Sequence, residues 1–143
     1  MRKLILIVLC VGALVAVAVP AAGASNAPVQ VTFDKHVIDP IAFVFAGTTG
    51  GDISGSLTSN LVSLDASTGP NLHITFDWKV TAGTKSFTAR TDGIWNTKTG
   101  SVVMNGTVID GYLLGAQVHE EGQLVDPTTL EFVGSLRLMP ASA

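Results

Sequence analysis

Gln117, His119 and Glu121 are the residues of this 143-residue chain whose types and spacing come nearest to chemistry. Residues two apart on a strand share a face, so His119 and Glu121 could work as an imidazole–carboxylate acid–base pair. Gln117 would add a polar hook beside them, and Glu120 points the other way. The same pattern also describes the wet outer face of an amphipathic strand. No third donor stands at a spacing that completes a metal site, and neither a metal nor an organic cofactor is implied.

Two further neighbourhoods pair a histidine with a carboxylate, Asp34 with His36 and His73 with Asp77. Turned inward, they could form a polar cluster with the 117–121 group. Turned outward, they are ordinary surface, where charged residues mostly sit. Asp110-Gly111 is a turn signal and precedes the only tyrosine, Tyr112. Phe76, Trp78 and Trp95 read as core packing or as walls of an apolar pocket. Asn105-Gly106-Thr107 matches a glycosylation sequon, which matters only in a eukaryotic secretory route. The chain has no Gly-x-Ser-x-Gly elbow, and no phosphate loop, His-Glu-x-x-His or calcium-loop pattern.

The elements that must position these residues are strands. Leu72, Ile74, Phe76, Trp78 and Val80 alternate with His73, Thr75, Asp77, Lys79 and Thr81, the period of a strand with one core face and one wet face. Phe87, Ala89 and Thr91 repeat the pattern, as do Leu130, Phe132, Leu136 and Leu138. Turn signals such as Asp39-Pro40, Gly50-Gly51, Gly69-Pro70 and Asp126-Pro127 divide the chain. The runs between them predict eight strands: 29–37, 41–47, 52–63, 71–81, 86–95, 101–109, 112–124 and 130–139. Sequential strands with tight turns pair in order, and about eight close into an antiparallel up-and-down β-barrel. A two-sheet β-sandwich is the alternative. Glycines 55, 93, 106, 115, 122 and 134 fall inside these runs, where they suit bends that let the sheet curl.

Ahead of the strands stands a leader. Arg2 and Lys3 precede an apolar run from Leu4 to Val19, Pro20 ends it, and Ala22-Gly23-Ala24 is a small-x-small cleavage pattern. The run is sixteen residues, short of the roughly 20 that span a bilayer. Residues 1–24 are therefore expected to be a signal peptide cleaved after Ala24. That leaves one domain, 25–143, secreted or periplasmic, with no integral membrane segment.

Cys10 is the only cysteine, so the processed domain carries no disulfide or thiolate. Its basic residues, Lys35, Lys79, Lys85, Arg90, Lys98 and Arg137, are scattered and outnumbered by eleven acidic ones. That balance excludes nucleic acid, which demands a basic patch, and attachment to an anionic membrane.

Ser86-Phe87-Thr88-Ala89, Asp92-Gly93-Ile94-Trp95-Asn96, Asn105-Gly106-Thr107-Val108, Gly115-Ala116-Gln117-Val118-His119 and Phe132-Val133-Gly134-Ser135-Leu136 form a Gly/Thr/Ser-rich meander. It resembles the allene oxide cyclase and dirigent type of calycin-like barrel over the last 55 to 90 residues. The resemblance implies a barrel whose mouth or interior takes a small apolar molecule, in some members guiding a cofactor-independent cyclisation or coupling. Gly93-Ile94-Trp95-Asn96 is also similar to the avidin type, although two tryptophans on adjacent strands do not make a biotin cage.

The sequence reading is thus an exported barrel that binds a small apolar or amphipathic ligand in its lumen or mouth. Phe76, Trp78, Trp95, Gln117 and His119 are the candidate contacts; Phe43, Phe45, Phe87 and Phe132 are further walls. A cyclase or isomerase using His119 and Glu121 is the first alternative. A filled barrel acting as a structural or interaction module is the second.

Overall fold

A computed structural model describes residues 27–142; the signal peptide expected over residues 1–24 lies outside them. Eight strands follow in order: β1 (Val29–Asp39), β2 (Val44–Gly51), β3 (Gly55–Asp65), β4 (Asn71–Thr81), β5 (Phe87–Asn96), β6 (Ser101–Gly111), β7 (Gln117–Asp126) and β8 (Glu131–Met139). Each pairs antiparallel with the next, and β8 pairs back onto β1 from Val29↔Leu138 to Lys35↔Phe132. The sheet is a closed barrel. Closure removes the free edges that would otherwise invite intermolecular pairing.

Three strands, β2, β3 and β7, start at least three residues later than the alternation predicts, β3 at Gly55 rather than Asp52. Val44 rather than Ile41 opens β2, because Asp39 Oδ1 accepts the amides of Ile41 at 2.9 Å and Ala42 at 3.0 Å. A side-chain oxygen that occupies these donors holds the chain in a turn. Gln117 rather than Tyr112 opens β7, since Tyr112–Gly115 form a turn in which Gly115 has φ +84°. Gly115 is therefore a turn glycine and not a bend within a strand.

Other glycines do lie within strands at close backbone approaches. A side chain at Gly106 would collide with the Arg90 carbonyl, and one at Gly134 with the Glu121 carbonyl. Gly122 and Gly134 also leave room for the tip of the Phe33 ring.

Inward residues of all eight strands form one core around Trp78, which is fully buried and stacks edge-on with Phe33 at 5.0 Å. Burying a large apolar side chain stabilises the fold by about 1.5–3 kcal/mol, so this layer carries much of the barrel's stability. One end of the barrel is closed by Ile53, buried in the β2–β3 connection, and by Ala116 ahead of β7. At the other end lie the β1–β2, β3–β4, β5–β6 and β7–β8 turns. No helix among the described residues is long and apolar enough to cross a membrane.

Candidate ligand site at the open mouth

Lys35 breaks the apolar interior. It follows Val31 and Phe33 on the inward face of β1 and is only 6% exposed. Glu120 does the same on β7, in phase with Val118, and is 1% exposed. Lys35 Nζ stands 3.9 Å from Glu120 Oε1 and donates to Ser59 Oγ on β3 at 3.4 Å. Thr91 on β5 donates to Glu120 Oε2 at 3.5 Å. The ammonium also sits 3.8 Å from the centre of the Trp78 ring, with Phe76, Phe45 and Phe33 at 5.2, 5.3 and 5.4 Å. Aromatic faces attract a cation, the more so when it is stripped of water.

Burial dominates the electrostatics of this pair. It pulls the Lys35 ammonium down to about 8, against the opposing pull of Glu120. It pushes the Glu120 carboxyl up, a shift that Lys35, Trp78 and Thr91 each oppose. A low-dielectric site disfavours both charged forms. Their contact is long, and the Trp78 indole N–H, although it favours the Glu120 anion, completes no hydrogen bond. Such a site can hold a proton on either partner and exchange it with a polar group that enters.

Access is from the open end. A depression there is lined by Phe43 and Phe45, by Leu61 and Leu64 of β3, by Ile74 and Phe76 of β4, by Trp95, Val102 and Phe132, and has Lys35, Met104 and Glu120 beneath. It encloses about 460 Å³ not filled by protein atoms, part of it open to solvent, yet only about 20 Å³ admits the centre of a water molecule. The second figure governs occupancy. It suffices for about one water, so a larger guest requires rim side chains to move.

The rim has three local irregularities. The ladder of β3 shifts between Leu61 and Ser63, and an inserted residue reverses the alternation, so Leu61 and Leu64 both reach the depression. Phe43 has φ +52°, a left-handed conformation that costs a residue with a side chain about 1–2 kcal/mol. The Trp95 indole N–H is buried without a hydrogen-bond partner.

The residues singled out from sequence divide between the two faces. Phe76 and Trp95 line the depression, and Trp78 lies within the core against Lys35. Phe43, Phe45 and Phe132 also line it; Phe87 is buried elsewhere in the core. Gln117, His119 and Glu121 lie on the outer face, where His119 bonds Asn105 at 2.7 Å and Glu121 at 3.0 Å. Asp34, His36 and His73 are exposed, and Asp77 forms a two-pronged bond with Arg90 at 2.7 and 2.8 Å. No three His, Cys, Asp or Glu side chains among the described residues gather where a metal could be held.

Strand periodicity alone does not pair Lys35 with Glu120, although it carries a signal for each. Each stands in phase with an apolar run, Val31-x-Phe33-x-Lys35 and Val118-x-Glu120-x-Gly122-x-Leu124. Comparison with known proteins finds no matching family model, no matching curated protein and no matching solved structure.

Proposed function

We propose that this is an exported barrel protein that holds a small apolar or amphipathic molecule at its open mouth, the polar end of the guest meeting Lys35 and Glu120. The observation that carries the reading is the placement of two buried ionisable groups beneath an apolar depression that is partly open to solvent. A barrel that needed only to fill its interior would gain more from two aliphatic residues there, since desolvating an ion pair can exceed its attraction. Ligand sites are typically apolar with a few convergent polar groups, which is this composition. Phe43, Leu61, Leu64 and Trp95 would yield to admit the guest. A cyclase or isomerase of the kind the family resemblance implies would draw its proton carrier from Lys35 and Glu120, because His119 and Glu121 stand outside.

Native mass spectrometry of the protein purified from its own host tests the reading. A single co-purifying molecule of a few hundred daltons, lost in a variant with Trp95→Ala, is the expected result. A bare mass in gentle conditions, together with no uptake of apolar probes, favours the second reading of a filled scaffold, which the 20 Å³ of free interior supports.

A further inference from the structure

We propose that Lys35 is an amine nucleophile that captures a small apolar aldehyde as an imine, with Glu120 carrying the proton. The inference rests on the mouth being a ligand site and names the class of guest.

Position comes first. Lys79, Lys85 and Lys98 are exposed, so Lys35 is the one buried lysine amine among the described residues. Its Nζ lies at the floor of the depression, walled by aromatic rings, with a carboxyl 3.9 Å away. Desolvation keeps an appreciable fraction of such an amine neutral, the form that attacks carbonyls, in keeping with its value of about 8.

Other guests fit less well. A carboxylate or phosphate reaching Lys35 would also meet Glu120, an acceptor of the same sign. A ligand ammonium would find the aromatic box occupied by Lys35 itself. A neutral carbonyl avoids both conflicts and takes up what the pair offers, one nucleophile and one acid.

The chemistry balances without a further reagent. The Nζ lone pair forms a bond to the carbonyl carbon, the C=O π pair moves to oxygen, and a proton passes from nitrogen to that oxygen to give a carbinolamine. Glu120 protonates the hydroxyl, the C–O bond breaks, and water leaves as the nitrogen lone pair forms C=N. The products are a protonated imine, a Glu120 carboxylate beside it, and one water. The apolar walls disfavour return of that water and so retard hydrolysis.

The purified protein is incubated with hexanal and cyanoborohydride, and the hexyl groups fixed by reduction are located by peptide mass mapping. In a parallel sample 1-hexanol, which cannot form an imine, is titrated against tryptophan fluorescence. Labelling of Lys35 at least tenfold faster than of Lys79, Lys85 or Lys98, slowed about tenfold by Glu120→Gln, is expected. Should Glu120→Gln fail to fold, competition decides: 1-hexanol must slow labelling of Lys35 and leave the exposed lysines unaffected. Equal or lower labelling of Lys35 overturns the inference. If hexanol nonetheless binds, the imine alone is lost; if neither probe enters, the ligand reading falls with it.

Discussion

Lys35 Nζ and Glu120 Oε1 lie 3.9 Å apart inside a barrel whose other inward side chains are almost all apolar. They come from β1 and β7, which are separated by β8, so the contact depends on the sheet closing. A buried charge whose partner is removed costs about 3–5 kcal/mol, whereas replacing both partners by apolar groups is neutral or stabilising.

The first prediction uses that asymmetry. Glu120→Leu alone should lower the unfolding free energy by about 3 kcal/mol, and the pair Lys35→Met with Glu120→Leu should match or exceed the wild type. Urea denaturation of the two single variants and the double variant measures this. Additive losses would mean the two groups do not act on one another.

Stability should fall with pH where Glu120 titrates and rise with pH where Lys35 does. Lys35 is lowered from 10.5 to about 8 in the fold, so between these values the unfolded chain binds the extra proton and stability rises with pH. The gain reaches roughly 3 kcal/mol above 10.5. Glu120 is raised above 4.5, so its contribution is fully present below 4.5 and is lost as pH rises through its native value. Denaturation midpoints should fall as pH rises from 4.5 and climb again on the approach to 10.5. The variant with Lys35→Met and Glu120→Leu should show neither trend.

Phe43 yields a separate expectation. Its φ of +52° penalises any residue with a Cβ, and glycine escapes that penalty. Phe43→Gly should therefore be more stable than Phe43→Ala by about 1 kcal/mol, although both lose the ring. Thermal unfolding of the two variants checks the order, and the reverse order would contradict strain at this turn.

Much of the barrel is legible in the sequence because alternation and turn residues are local signals. The run from Leu72 to Val80 gives β4 with both ends correct, and Asp126-Pro127 marks the β7–β8 turn. Alternation also separates His119 from Glu120, but it does not say which of two faces lies inside when both carry charge. On β7, Gln117, His119 and Glu121 carry the residue types that suggest chemistry, whereas Val118 and Leu124 place Glu120 on the inner face. The reach of Lys35 to Glu120 depends on closure and on the register between β1 and β8, neither of which a single run of residues encodes. The late starts of β2 and β7 arise from turn contacts at Asp39 and Gly111–Gly115, which strand periodicity does not register.

His119→Ala should test that division of faces. Removing its bonds to Asn105 and Glu121 should shift stability by no more than about 0.5 kcal/mol, as for surface substitutions generally. Uptake of an apolar probe should be unchanged. A variant that folds and loses the probe would place function on the outer face.

The two tryptophan indoles give the most direct measurement. Trp95 lines the mouth, Trp78 lies deeper against Lys35, and both N–H groups are buried without a hydrogen-bond partner. A ¹H–¹⁵N titration with 1-hexanol should shift the Trp95 indole signal saturably at one equivalent, with a smaller shift at Trp78. The His119 and Asn105 signals should stay fixed. Indole signals unmoved up to the solubility limit of the alcohol would contradict a ligand site at the mouth.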